Sequence, residues 1–430
     1  MDIRDYKVGF VGLGYAGLPM AYHFARKLKI VGYDLSHKRI SELQSCVDRC
    51  GGVSADELEL IQRHSALFTT DVKALEQCNF YIICVPTPVD ADMQPDFTYL
   101  LDACSRVGEV LKKGDIVVFS STVYPGATEE LCVPVLEKTA GLSFNTDFFV
   151  GYVPERINPG DTEHTISNTV VVTSGSTPET ARIIDEIYTM VLGEGHTYRA
   201  GSLKVAEASK VIENSQRDVN IAFVNEVAKV LSAMNISTSE VIDAMNTKWN
   251  ALGFRPGLVG GHCIGIDPYY ISTAARTHGT ATQLIDLARR INNSLAEYVA
   301  EQVIKHIGER KKDIDNGIIR VLLLGFSFKE NVPDVRNSRV YDIYRLLKIR
   351  GYEVAIYDPV ADVQAASDLY GVELINDLMY LHGLKFNAIV LCVAHSELSV
   401  FPFADYFANN GFVYDVKGVL PADNSWAISL

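Results

Sequence analysis

Residues 7–34 constrain the fold of this chain more than any other stretch. "KVGFV" (7–11) has the pattern of a short buried strand and runs directly into Gly12-Leu-Gly14-Tyr-Ala-Gly17. A helical stretch follows, Leu18 to Leu28, and then a second strand pattern, "KIVGYD", which ends on Asp34. A lone GxGxxG is weak evidence, because glycines often serve only strand–helix packing. One that follows a strand, opens a helix and precedes an acid about twenty residues on predicts a dinucleotide-binding βαβ unit. The glycines permit the tight turn and a close approach to the backbone, and the helix N-terminus faces a pyrophosphate. Asp34 then accepts hydrogen bonds from both ribose hydroxyls and repels a 2′-phosphate, which favours NAD over NADP.

More strand patterns follow: "FYIICVPTP" (80–88), "DIVVFSSTV" (115–123) and "FFVGYVPER" (148–156). Each ends in polar or proline-containing residues, where the C-terminal edge of a parallel sheet places its ligands. Residues 203–234 hold no Gly or Pro and read as one long helix. Its apolar positions (Val205, Val211, Ile212, Val219, Phe223, Val227, Val230, Leu231) recur at helical spacing. A second α/β pattern opens with "IIRVLLLGF" (318–326) and continues through "YEVAIYDP" (352–359) and "AIVLCV" (388–393). "FVYDVKGVL" (412–420) is expected to close it, and this half lacks a full GxGxxG. The expected class is therefore α/β: two Rossmann-like domains joined by a long central helix and a helical middle section. The boundaries fall at 1–198, 199–312 and 313–430.

A net charge of −14 argues against a nucleic-acid or membrane surface. An anionic ligand is still allowed, because local Arg, Lys and helix N-termini set the field in a cleft. The eight cysteines are scattered with no CxxC pair, which reads as reduced thiols and no metal site. No apolar run approaches the ~20 residues of a membrane span, and the N-terminus leads straight into the first strand. A cytoplasmic protein is expected.

The stretch "LVGGHCIGIDPYY" (258–270) sets His262 and Cys263 among glycines, with Asp267 four residues after the thiol. Most cysteines are inert core residues. Zinc is disfavoured because His262 and Cys263 are adjacent and no second Cys/His pair lies at finger spacing. A nucleophile needs a lowered pKa or a nearby base, and Asp267 is the candidate to orient or deprotonate a water. Spacing alone leaves nucleophile and inert thiol level. In the long helix Lys210 and Asn214 share a face, with Glu207 a turn earlier and Asp218 a turn later. Such a stripe is commonly solvated, but on a helix between two domains it lines the cleft and can stabilise an oxyanion. Glu155 in "VPERINPG" is a loop carboxylate, a partner of Arg156, or a general base near the nicotinamide. Thr122 in "SSTVYPG" positions a water or the cofactor, or caps a helix.

"GFVGLGYAGLP", "SSTVYPG", "VPERINPGD", "EASKVIENSQRDVNIAFVNE", "GGHCIGIDPYY" and "GFSFKENVPDVRNS" occur in this order. Together they resemble the nucleotide-sugar dehydrogenases, the UDP-glucose and GDP-mannose dehydrogenase superfamily, over nearly the entire chain. The resemblance implies oxidation of a sugar C6 alcohol to a carboxylate in two steps with two NAD+. It also gives the thiol a role, which is to add to the intermediate aldehyde so that a second hydride can leave and a thioester can form.

By that resemblance Cys263 is the nucleophile, Lys210 and Asn214 hold the C6 oxygen, and Glu155 is the base for thioester hydrolysis. Asp267 and Thr122 manage water and protons. Gly12, Gly14, Gly17, Asp34, Arg39, Thr87 and Thr122 contact NAD, and Arg336 adds a contact from the second domain. Glu155, Arg156, Lys210, Asn214, Gly260, Lys329 and Lys417 face the UDP-sugar. Arg255 meets a phosphate, across a dimer interface if the central helices pair as in the family. Two positions depart from its pattern: the loop "RINPG" lacks a second acid after Glu155, and Lys417 stands where relatives often carry arginine. "VPERINPGD" and "GGHCIGIDPYY" look closer to the branch acting on UDP-N-acetylhexosamines. UDP-GlcNAc or UDP-GalNAc is thus expected before UDP-glucose or UDP-ManNAc, supplying acidic polysaccharide or O-antigen synthesis. A two-electron β-hydroxyacid dehydrogenase leaves Cys263, Glu155 and the second α/β domain without a role. A non-enzymatic NAD sensor leaves the thiol, lysine and carboxylate together unexplained.

Overall fold

Strands of three to nine residues form two parallel sheets, each in its own compact unit. The computed structural model describes residues 3–90, 92–156, 165–166, 168–310, 318–421 and 424–430. The first unit comprises Met1–Glu213 with Tyr269–Ala281, and the second comprises Asn214–Pro268 with Thr282–Leu430.

In the first unit β1 (Val8–Val11), β2 (Ile30–Tyr33), β3 (Ala66–Thr69), β4 (Phe80–Ile83), β5 (Ile116–Phe119) and β6 (Phe149–Tyr152) align in the order β3-β2-β1-β4-β5-β6. All pairs are parallel, with Val8 opposite both Ile30 and Phe80. The order reverses between β1 and β4, and the crevice at their C-terminal ends is where such sheets bind ligands. Successive side chains feed opposite faces. Val8, Phe10, Phe80, Ile82, Ile116 and Val118 pack under the helices Gly17–Ala25 and Pro178–Leu192. Val11, Ile83, Val117 and Phe119 pack under Thr98–Gly108 and Val133–Ala140. Edge-to-face contacts link Phe10, Phe24 and Tyr188 at 5.4 and 5.2 Å. Both faces are buried, so the central strands read as continuous apolar runs. The sequence pattern does not reveal β3, a half-exposed edge strand whose four residues carry no such run. Nor does it reveal a separate parallel pair, β7 (Val171–Thr173) and β8 (Thr197–Arg199).

The second unit holds β9 (Arg320–Leu324), β10 (Glu353–Tyr357), β11 (Phe386–Leu391), β12 (Phe407–Asp415) and β13 (Ala427–Ser429), ordered β10-β9-β11-β12-β13 and all parallel. The expectation that 412–420 closes this sheet is corrected at both ends. The strand begins at Phe407 and stops at Asp415, and β13 lies outside it. Asp415 ends the strand because its buried carboxylate accepts the amides of Lys417, Gly418 and Leu420, curling the chain into a turn.

The long helix is Leu203–Ala233, as its spacing predicts. Its burial is not. The expected apolar stripe leaves Val205, Ile212, Phe223 and Val230 more than half exposed (53–58%), while Glu207, Lys210, Asn214 and Asp218 are buried at 0–5%. The bland expectation of a solvated polar stripe is therefore reversed. Among the described residues no helix is long and apolar enough to cross a membrane.

Candidate active site

The fingerprint turn follows from where the chain must run at the end of β1. Gly12 takes φ +94°, and a Cβ there would lie 2.4 Å from the Cys84 carbonyl oxygen at the end of the neighbouring strand. A Cβ on Gly17 would lie 2.0 Å from the Gly12 carbonyl oxygen, so this glycine lets the helix close down on the turn. Gly14 has nothing within 4 Å of its Cβ position and leaves room for a ligand against the backbone. The helix that follows starts without a side-chain cap, but Pro19 has no N–H and the Leu18 and Met20 amides bond to the Gly14 and Ala16 carbonyls, so the positive end of its dipole is what it offers an anion. Asp34 stands at the end of β2, where its two oxygens accept the amides of Leu13 and Ser36, both at 2.9 Å. These residues form a cradle that fits a dinucleotide. Arg39 braces the same turn: Nε donates to the Leu13 carbonyl at 2.8 Å and Nη2 pairs with Asp48 at 2.8 Å. It holds the loop through its own side chain.

The same unit collects the loops after β4, β5 and β6. Glu155 lies 4.0 Å from the Lys210 ammonium, and both side chains are largely buried. Arg156 pairs with Glu213 at 2.8 Å, one turn further along the long helix. Cys84 is near this pair. Burial pushes its thiol up to about 12, the Glu155 carboxylate adds to the rise, and Lys210 opposes it. Cys84 is thereby kept as a neutral thiol. Thr122 is half-buried in the loop after β5. That loop is tied to the long helix by Glu207, whose buried carboxylate accepts the amides of Gly126 at 2.6 Å and Thr128 at 3.0 Å. The Thr87 carbonyl accepts from the hydroxyl of Tyr270 at 2.6 Å.

In the second unit Cys263 sits in a run of turns that leads into the helix Asp267–Thr277. Its carbonyl accepts the Asp267 amide at 2.8 Å. It is the exposed thiol of the eight; Cys78, Cys84, Cys104 and Cys392 are all pushed up by burial. Asp267 is 1% exposed and accepts from the Asn214 side-chain amide, and Arg217 donates to the Asn214 oxygen. The asparagine is thus held in one orientation by a carboxylate and a guanidinium. Gly260 and Gly261 are needed for packing: their Cβ positions fall 2.6 Å from the Asn337 carbonyl oxygen and from the Phe328 ring, and Gly261 has φ +74°. Asn337 donates to the Gly261 carbonyl at 2.8 Å, fixing the glycines against the segment after β9.

Further residues named from sequence lie in this unit. Arg336 is held by Asp334 at 2.7 Å and approaches His262 Nε2 at 3.2 Å. Lys329 is half-buried in the loop after β9, and its neighbour Glu330 pairs with Lys417 at 2.8 Å. Arg255 is paired with Asp243. The "INPG" part of the loop after Glu155 lies outside the described residues, as does the expected boundary at 312.

Sequence reasoning missed a buried polar chain behind Asn214. Arg289 donates to Asp218 at 2.5 Å, and Asn292 donates to Asp218 at 2.7 Å while accepting from Asn225 at 2.8 Å. Asn225 also grips both backbone groups of Gly257. The signal was available: Lys210, Asn214, Asp218 and Asn225 recur at helical spacing on one face.

Profiles of the UDP-glucose/GDP-mannose dehydrogenase family match three consecutive segments. The NAD binding domain matches residues 6–192, the central domain 204–294 and the UDP binding domain 322–422. A UDP-N-acetyl-D-glucosamine 6-dehydrogenase of Pseudomonas aeruginosa is 47% identical over 98% of this chain and 99% of its own. Its counterpart from Salmonella typhi is 45% identical over 98% of each chain. Among solved structures, a UDP-D-ManNAc dehydrogenase from Pyrococcus horikoshii superposes with a TM-score of 0.87, at 28% identity and 98% coverage of each chain.

Proposed function

The chain belongs to the UDP-glucose/GDP-mannose dehydrogenase family, and from that premise we propose that it oxidises C6 of UDP-GlcNAc to the uronic acid. It is an NAD-dependent oxidoreductase of the UDP-sugar class. UDP-GalNAc is the next candidate substrate, followed by UDP-ManNAc and UDP-glucose. The names of the full-length relatives at 45–47% identity support placing UDP-GlcNAc first. Family membership leaves no reason to retain a β-hydroxyacid dehydrogenase or a non-enzymatic sensor.

NAD, when bound, supplies the hydride acceptor twice, for the alcohol and for the aldehyde after it has become tetrahedral. Gly12, Gly14, Gly17 and Asp34 hold it, with Thr87, Thr122, Arg39 and Arg336 as further contacts. Lys210 and Asn214 hold the C6 oxygen and stabilise its negative charge. The Cys263 thiolate adds to the C6 aldehyde, and the carbonyl oxygen takes the proton, which leaves a thiohemiacetal. Its oxidation gives a thioester. Glu155 then takes a proton from water, hydroxide adds to the acyl carbon, and the thiolate leaves. Asp267 and Thr122 manage the water and its protons. Lys329, Lys417, Arg156, Gly260 and Arg255 bind the UDP-sugar. The observation that carries this reading is the exposed Cys263 one turn before the buried Asp267, with Asp267 bonded to Asn214.

The same proposal divides the chain at 1–198, 199–312 and 313–430, and makes it a cytosolic homodimer paired through the central helix. The support for that pairing is that Val205, Ile212, Phe223 and Val230, large apolar side chains recurring along one helix, are all more than half exposed. The deciding experiment mixes Glu155→Gln enzyme with NAD and UDP-GlcNAc. A positioned base contributes about 10²–10⁴-fold, so deacylation becomes rate-limiting. A burst approaching two NADH per active site follows, with the sugar-nucleotide acyl group on Cys263 in intact-protein mass spectra. Normal steady-state turnover with no adduct would move the base elsewhere, with Asp267 next in line.

A further inference from the structure

At the C-terminal edge of the second sheet, three strands send one buried polar side chain each to a common point. Ser327 follows β9, Asp358 follows β10 and His395 follows β11, and all three are at most 1% exposed. Asp358 uses one oxygen for the amides of Val360 and Ala361 and the other for those of Phe326 and Ser327. It anchors the two loops on its side. His395 approaches Asp358 at 3.0 Å and Ser327 Oγ at 3.1 Å through Nε2, while Nδ1 accepts the Asn331 amide at 2.9 Å. A ring nitrogen that accepts an amide N–H carries no proton, so the proton is on Nε2. The Ser327 hydroxyl donates to the Lys329 carbonyl at 2.8 Å, leaving its oxygen as the acceptor for His395. Asn331 has φ +58°, and its side chain accepts the Ser396 amide at 2.9 Å.

One imidazole therefore grips the loop on both sides of Lys329, at residues 327 and 331. The arrangement is not that of a hydrolytic triad, because the carboxylate and the hydroxyl share one nitrogen and the other is spent on backbone. Neither group is accessible, and the oxidation mechanism leaves the cluster without a catalytic role. Its effect is on the loop: β9 is the strand at which this sheet's order turns, and ligands of such sheets lie outside the strand ends there.

We propose that His395 is a positioning residue for nucleotide binding, its Nδ1–Asn331 bond holding the Phe326–Asn331 loop so that Lys329 is presented to the UDP moiety. This rests on the assignment of Lys329 to the nucleotide. The test measures UDP and NAD affinities by calorimetry, which does not depend on which sugar is oxidised. In His395→Asn the amide oxygen stands where Nδ1 was and accepts the Asn331 amide. In His395→Gln the amide nitrogen stands where Nε2 was, and the Asn331 contact is lost. His395→Gln should weaken UDP about five- to tenfold, the loss of one hydrogen bond, with NAD unchanged. His395→Asn should stay within about twofold of the parent on the same basis.

Placed in a Lys329→Ala background, His395→Gln should bring no further loss of UDP affinity, because both act through one contact. Additive losses, or His395→Asn as weak as His395→Gln, overturn the proposal. If Lys329→Ala weakens UDP but His395→Gln does not, this proposal alone fails. If Lys329→Ala leaves UDP affinity intact, the lysine assignment fails and takes the proposal with it. Should His395→Gln not fold, Ser327→Ala frees the same loop by removing the hydroxyl bond to the Lys329 carbonyl, which His395→Asn leaves in place. It should show the same loss confined to UDP, and unchanged UDP affinity there also overturns the proposal.

Discussion

Asp34→Asn removes one charge and keeps the shape of the side chain, which separates cofactor choice from loop integrity. In the native loop both carboxylate oxygens accept backbone amides, from Leu13 and Ser36 at 2.9 Å. Asparagine accepts one of them and turns its own NH2 toward the other. One part-buried donor loses its partner, at a cost of about 1–3 kcal/mol. The melting temperature should fall by a few degrees. The larger effect is on NADP. A 2′-phosphate about 5 Å from the carboxylate meets a repulsion of roughly 3 kcal/mol per unit charge at an effective dielectric near 20. That is about two powers of ten. Arg39 does little to offset it, because its guanidinium is committed to the Leu13 carbonyl and to Asp48. The parent should therefore prefer NAD strongly. In Asp34→Asn the ratio of kcat/KM for NAD over NADP should drop about 10²-fold, mostly through a gain with NADP. The assay follows NAD(P)H absorbance at saturating UDP-GlcNAc. A parent that uses both cofactors comparably, or a ratio that the substitution leaves unmoved, would refute the assignment.

Cys263→Ser should bind NAD normally yet fail to complete the four-electron reaction, because an alkoxide is far harder to generate than a thiolate; near-normal production of the uronate would rule out the covalent route. Asp218→Ala leaves Arg289 buried without its carboxylate and should cost about 3–5 kcal/mol, with a double replacement by apolar residues losing less in a denaturant titration. Burial alone would raise the Asp358 carboxyl, but the bonds from His395 and from the amides of Phe326 and Ser327 hold it below the usual range. Its ionised form thus stabilises the fold above about pH 4 and loses that contribution as pH falls through the lower folded value. Asp358→Asn should accordingly melt well below the parent at pH 7, with the gap narrowing below about pH 4 in thermal scans; a gap constant with pH would contradict this.

The nucleotide fingerprint was legible because a sharp turn admits few residues. Gly12 has a positive φ, Gly17 has backbone where a Cβ would be, and no other side chain satisfies both. The central strands and the Leu203–Ala233 helix were legible for the same local reason, as buried runs and helical spacing. Strand β13 was not, since three half-exposed residues at a sheet edge carry no pattern. Spacing also could not say which face of the long helix is buried. Burial of Lys210, Asn214 and Asp218 depends on partners 50 or more residues away, Glu155 for the lysine, Asp267 for the asparagine, and Arg289 and Asn292 for the aspartate. The grip of His395 on both sides of Lys329 was equally invisible, for it joins side chains from the ends of three strands. By itself the sequence determined the turn chemistry, the alternation of strand and helix, and the residue types available for oxidation. Only the tertiary structure decided which polar groups leave water and what holds them there, because burial is set by chain segments that no local spacing brings together.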